Sequence, residues 1–168
     1  MAFPSFTGTK APATPADLQA LETEYGFTLP ADYKNHLLAH NGGWPADRDT
    51  FVQELGDGRR VARAVSDFYS VRHGAMLLED ALADVYDQLH PDLVPFAAEG
   101  GGDQFVLSVG PDDYGSVYYV AHELYRPPAF LENDEAEARP RDYGKGVSLL
   151  APSFTAFLEG LVAVPDEG

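Results

Sequence analysis

The side chains able to do chemistry in this chain are five histidines, twenty-seven carboxylates and nine tyrosines, and cysteine is absent. Without cysteine, disulfide frameworks, thiolate zinc sites, iron–sulfur clusters and cysteine nucleophiles are excluded, and a reducing compartment is favoured. His36 and His40 stand four apart, which puts both rings on one helix face. The helical zinc-peptidase motif needs a Glu directly after its first His to act as base, and here Leu37 fills that place. No third ligand is apparent. The pair therefore reads as partly buried, hydrogen-bonded rings on a stripe with Tyr33 and Leu37, and no metal is assigned. His122-Glu123 at a strand end is an isolated pair of low specificity, and His73 and His90 stand alone.

Gly100-Gly101-Gly102-Asp103 has the glycine density of a phosphate loop, but it enters a strand rather than a helix and lacks Gly-Lys-Ser/Thr. It reads as a turn. The acidic stretches lack EF-hand spacing, and neither Gly-x-Ser-x-Gly nor Ser-x-x-Lys occurs. Carboxylate pairs for glycoside chemistry meet in space rather than in sequence, and among twenty-seven acids a chance pair carries little weight. The expectation is a protein without catalytic residues, metal or cofactor.

Charge is the strongest compositional signal. The formal net charge is −16, and residues 79–137 hold fourteen acids against Arg126 alone. The first 78 residues carry nine acids and seven bases. Such a field repels nucleic acid and anionic membranes and draws basic partners. Solubility alone would also account for it. Tyr114, Tyr118, Tyr119 and Tyr125 cluster in the same stretch, and exposed tyrosine amid acids is the composition of a surface that takes Arg- or Lys-rich partners. The alternative is that the protein's own loops cover them. The candidate partner-binding residues are Asp103, Asp112, Asp113, Tyr114, Tyr118, Glu123, Glu132, Asp134 and Glu135.

These residues must be positioned by one domain, the size expected for 168 residues with 45% apolar and 23% charged content. Residues 1–13, rich in Pro, Ala, Thr and Gly, read as a loose lead-in, residues 14–162 as the domain and residues 163–168 as a tail. Thr14, Pro15 and Asp17 signal a capped helix start, and Leu18, Leu21 and Tyr25 continue it to Gly26. A second helix from about Ala31 ends at Asn41-Gly42-Gly43. Strands are expected over 50–55 and 65–71 with a Gly56–Gly58 turn between them, then an amphipathic helix over 79–89. Residues 104–109 and 116–122 form a hairpin, in which Tyr118 and Tyr119 point to opposite faces so that at most one is core and the other is exposed or covered by a loop. Residues 126–146 read as a long surface loop, and residues 152–162 as a closing helix. Helices at both ends of a mainly antiparallel sheet give an α+β fold. The opening residues have no basic start leading into an apolar run, and no stretch reaches the ~20 apolar residues of a membrane span, so a cytoplasmic protein without a signal peptide is expected.

With these elements placed, a family pattern emerges. Leu21-Glu22, Leu29-Pro30, Asp32-Tyr33-Lys34, Leu37 and Asn41-Gly42-Gly43 resemble, in order and spacing, the N-terminal signature of the SUKH superfamily, related to the yeast cell-wall-assembly regulator of the Smi/Knr type. Leu93, Pro95, Gly101, Gly102, Asp103 and Phe105 resemble its second block. Val117 to Glu123 resemble a later strand, and Ser153, Phe154, Phe157 and Leu158 its closing helix. Coverage runs from about residue 14 to 162. His36 and His40 depart from the aromatic or apolar residues usual there, and residues 47–65 and 132–137 match no block. The resemblance implies a twisted antiparallel sheet with helices packed around it, with the Asn-Gly-Gly and Gly-Gly-Asp segments as fold-defining turns. It also implies a protein-binding role: an immunity protein neutralising a basic, nuclease-type toxin domain, or alternatively a regulatory scaffold for several signalling or cell-wall proteins.

Overall fold

A computed structural model describes residues 3–85, 88–132 and 143–163. Helix α1 spans Pro15–Tyr25 and helix α2 spans Ala31–Ala39. The start of α1 is the expected capping box: the Asp17 amide donates to Thr14 Oγ1 at 3.2 Å and the Thr14 amide to Asp17 Oδ2 at 3.0 Å. Gly26, at φ 73°, closes the helix in the left-handed conformation. The Leu-Glu, Leu-Pro and Asp-Tyr-Lys residues then do structural work. Glu22 accepts from the Leu29 amide at 2.7 Å, and Asp32 accepts from both the amide and the hydroxyl of Thr155, fastening α2 to the C-terminal helix.

Asn41 explains why a polar residue belongs at the end of α2. It is 1% exposed, its amide nitrogen donates to the carbonyls of Ala11 and Val71, and its oxygen accepts from the Val71 amide at 2.7 Å. One side chain thus ties three chain segments together. Gly43 follows at φ 79°, where a Cβ would meet the Thr7 carbonyl at 2.4 Å, so the close approach itself requires glycine.

That approach corrects the expected loose lead-in. Phe6–Thr7 form strand β1, paired antiparallel with β2 (Trp44–Pro45), and Lys10 bridges to Asn41. The Phe6 ring packs on His36, His40 and Phe68, which supplies the apolar contact that holds the strand down.

Strand β3 (Thr50–Glu54) turns through Gly56–Gly58 as expected, but its partner β4 is Arg60–Ala64, earlier than the 65–71 stretch. β4 alternates exposed and half-buried residues and has no continuous apolar face to announce it. Only Asp67–Phe68 of the expected segment forms a strand, β5. Helix α3 spans Leu78–Val85; Gln88 and Leu89 lie in a turn, and residues 86–87 fall outside the described residues. Strands β6 (Leu93–Ala98), β7 (Gln104–Ser108), β8 (Val117–Val120) and β9 (Val147–Ala151) complete a five-stranded antiparallel sheet in the order β5-β6-β7-β8-β9. A bulge falls between Pro95 and Ala97, a position where a residue lacking an N–H is tolerated. Within residues 126–146, the expected surface loop, a short helix α4 (Ala129–Glu132) forms and Tyr143 is buried.

The closing helix is shorter than its periodicity implies. Helix α5 is Phe154–Glu159, capped by Ser153 Oγ, which accepts from the Ala156 amide. Beyond Gly160, Leu161–Val162 form strand β10, paired with β3 in a sheet ordered β10-β3-β4. Leu161 is 1% exposed, so its place on the apolar stripe reported burial correctly and conformation wrongly.

Period-two alternation in the hairpin divides the interior. Phe105, Leu107, Val117 and Tyr119 face a core with Tyr33, Leu37, Phe96, Phe154 and Phe157 from α2, β6 and α5. Val106, Tyr118 and Val120 face a second, smaller cluster with Leu89, Leu93 and Tyr143. Both faces of β8 are therefore covered. Tyr119, 3% exposed, belongs to the main core, and Tyr118, 9% exposed, is covered on the opposite face by Tyr143 from the 126–146 segment.

Candidate binding surface

The candidate residues separate by burial and by end of the hairpin. Asp113 is buried. Its carboxylate accepts from Ser108 Oγ at 2.6 Å, Tyr118 Oη at 2.5 Å and Tyr143 Oη at 2.6 Å. A buried carboxylate is tolerated when it is hydrogen-bonded on this scale, and here it joins β7, β8 and Tyr143 from inside. Asp113 and Tyr118 are thus interior residues rather than surface ones. Tyr118 lies beneath the Tyr143 ring, 5.1 Å away edge to face, and sequence alternation alone does not report that cover.

At the β7–β8 turn, Asp112 is exposed and Tyr114 is about half exposed, its hydroxyl donating to the Thr28 carbonyl at 2.8 Å. Burial, followed by Glu22 and Asp32, raises the Tyr114 phenol above its ordinary range. Asp103 and Glu123 sit at the other end of the hairpin, separated from Asp112 by the strand length, roughly 16 Å at ~3.3 Å per residue. Glu132 ends α4 with its side chain outside the described residues, and Asp134 and Glu135 lie outside them altogether.

Asp103 organises the second end. One oxygen accepts from the Tyr119 hydroxyl, the other from the His122 amide at 2.9 Å, and the His122 Nδ1 lies 2.5 Å from it. These bonds hold the Asp103 carboxyl below its ordinary range against the opposing effect of burial. The same hydrogen bond to Asp103 raises the pKa of His122, with Glu123 and Glu99 adding to it. The partner of His122 is therefore Asp103 rather than its neighbour Glu123. Arg63 lies over the Tyr119 ring at 4.1 Å from its centre, a cation–π contact with no local sequence signal. Gly100–Gly102 make the expected turn between β6 and β7, with the Gly102 amide donating to the Glu99 carbonyl. Among the described residues, no three His, Asp or Glu side chains are grouped to hold a metal ion, and no helix is long and apolar enough to cross a membrane.

His36 and His40 differ in fate. His36 is 8% exposed within a ring of Phe6, Phe68 and Phe154, and its Nε2 has no hydrogen-bond partner among the described residues. The expected hydrogen-bonded ring is thus replaced, at Nε2, by an apolar aromatic nest. Burial pushes its pKa down to about 3, with His40 adding to the effect, so the ring is neutral. His40 is exposed and stacks on Phe6.

The sequence did not point to a groove of about 370 Å³ walled by Tyr25 at the end of α1 and Phe27 after it, Leu82 and Val85 of α3, and Leu131 of α4. Its apolar residues come from three separated segments, and only the packing brings them together.

The family described as SMI1 / KNR4 (SUKH-1) matches residues 12–160. This chain belongs to the SMI1/KNR4 family. A relative within reach of sequence is the SPbeta prophage-derived uncharacterized protein YokK of Bacillus subtilis (strain 168), 24% identical over 171 residues covering 92% of this chain and 77% of that one. The SMI1/KNR4 match covers every motif block quoted from the sequence, and the two turns it contains are structural in this chain.

Proposed function

We propose that this chain is a cytoplasmic, non-catalytic immunity protein that binds and neutralises a basic, nuclease-type toxin domain. The observation that carries this reading is the combination of SMI1/KNR4 membership with a net charge of −16 concentrated in the second half of the chain. A nuclease cleft presents Lys and Arg to phosphates, and carboxylates set against those cations both steer association and block the cleft. Asp112, Tyr114, Asp103 and Glu123 remain the contact residues of this reading, joined by Glu132, Asp134 and Glu135 of the acidic stretch. Asp113 and Tyr118 support them from inside.

The test is capture by the tagged chain from lysate of its native organism, with washes at low and then high salt. The expected result is one stoichiometric basic protein released by salt, whose nucleic-acid cleavage stops when the chain is added back. Asp112→Asn with Glu123→Gln slows association at low salt and leaves it unchanged at high salt. Several substoichiometric signalling or envelope proteins, or a captured nuclease that stays active, would overturn the reading.

A further inference from the structure

We infer that the apolar groove between α1, α3 and α4 is the docking site for a basic amphipathic segment of a protein partner, its apolar side chains seated in the groove and its Lys or Arg side chains set against the rim. This deepens the immunity reading and rests on it in taking the partner to be a basic protein.

Three observations favour that occupant. The walls are apolar and partly open: Phe27 and Val85 are half-buried, and Tyr25 stacks on Phe27 with ring centres 5.9 Å apart. The polar groups that reach the groove are already engaged. The Tyr25 hydroxyl donates to the Glu79 carbonyl, and His90 Nδ1 accepts from the Asp92 amide at 3.0 Å. A small-molecule site needs a few convergent polar groups free to orient its ligand, whereas an anchor side chain needs only apolar walls. Finally, the rim is of one sign. Glu24 stands beside Tyr25 at the end of α1, Glu79, Asp80 and Asp84 lie on α3 with Leu82 and Val85, and neither helix contains Lys or Arg. The Tyr25 hydroxyl registers that field, since Glu24, Glu79 and Asp80 all act on it in the direction of a raised pKa, after burial. Apolar walls inside an acidic rim match the two faces of a basic amphipathic helix.

The probe is a Leu/Lys amphipathic helical peptide of about 14 residues, with a Leu/Glu peptide of equal length as its counterpart. Each is titrated into the full-length isotope-labelled chain while backbone amide signals are followed. The Leu/Lys peptide shifts signals of residues 25–27, 82–91 and 131, and the Leu/Glu peptide does not bind. Val85→Arg and, separately, Asp80→Lys with Asp84→Lys each weaken the Leu/Lys peptide by about tenfold or more. The rim variants change exposed residues only, so they serve if Val85→Arg does not fold. Equal binding of both peptides, shifts centred elsewhere, or affinity unchanged in the rim variants would overturn the inference. So would a dimer of the free chain whose interface is this groove. Peptide binding here without toxin capture refutes the immunity reading alone, and toxin capture unweakened by Val85→Arg refutes the groove alone.

Discussion

Replacing His36 by phenylalanine probes how the aromatic nest around α2 sets the acid stability of the fold. Burial favours the neutral imidazole and holds its pKa at about 3 against an ordinary 6.5. A folded pKa below the unfolded one means that, as pH falls through 6.5, the unfolded chain takes up a proton that the native chain refuses. Stability is therefore lost on acidification, at up to ~1.4 kcal/mol per pH unit, until the native ring itself protonates. Between about pH 7.5 and about pH 5 the single group accounts for about 2 kcal/mol. Phenylalanine fits among Phe6, Phe68 and Phe154, cannot protonate, and removes a buried nitrogen that has no partner among the described residues. His36→Phe should then be more stable than the wild type near neutrality by about 1 kcal/mol, and by about 3 kcal/mol near pH 5. Urea unfolding followed by circular dichroism at both pH values measures this. Every other titrating group is common to the two proteins, so the difference between them isolates His36. An unchanged difference at the two pH values would refute the reasoning.

Other substitutions test the remaining anchors. Asn41→Ala leaves the buried carbonyl and amide of Val71, and the Ala11 carbonyl, without their partner, and a loss of about 3 kcal/mol is expected in denaturant unfolding. Tyr143→Phe removes one hydroxyl from the buried Asp113 carboxylate and costs about 1–1.5 kcal/mol by the same measurement. Asp103→Asn returns the raised His122 pKa toward its ordinary value, read from the imidazole proton shifts. The sign of the wild-type pair follows: the His122 contribution is full below pH 6.5 and disappears as pH rises through the raised value. Asp17 has the opposite sense, because its cap bond from Thr14 and its Arg72 partner hold its pKa at about 2, so its contribution is lost as pH falls from the ordinary carboxylate range toward that value. Thr14→Ala removes one side of the capping box and costs about 1 kcal/mol.

The parts of the fold legible in the sequence are those encoded by residues close together in the chain. The box of Thr14 and Asp17, the stop at Gly26 and the alternation of Phe105, Val106 and Leu107 all report local geometry, and each reappears as expected. The misread elements are those decided by distant partners. Leu161 continues a helical stripe from Phe154, yet Gly160 releases it to pair with Phe51, more than a hundred residues earlier. Phe6 lies in a Pro- and Gly-rich stretch, but the His36 and Phe68 rings give it somewhere to pack. Among the candidate surface residues, exposure of Asp112 and Glu123 follows from polarity. The burial of Asp113 is invisible until Ser108, Tyr118 and Tyr143 converge on it. The apolar groove escapes a linear reading for the same reason, since Phe27, Val85 and Leu131 become neighbours only in the folded chain.

Gln53 bears on the open border of the larger sheet. Strand β9 ends the five-stranded sheet and contains no charged residue, and Leu149 on it is 57% exposed, the kind of open border along which chains add to one another. From β3 of the other sheet, the Gln53 side-chain amide donates to Ser148 Oγ at 2.8 Å and to the Leu149 carbonyl at 3.1 Å, while its oxygen accepts from Arg63 Nε. A single side chain thus occupies backbone hydrogen-bonding capacity that a foreign strand would need, and Arg63 holds it in place. Loss of Gln53 would free the Leu149 carbonyl and leave more of that border open to an added strand.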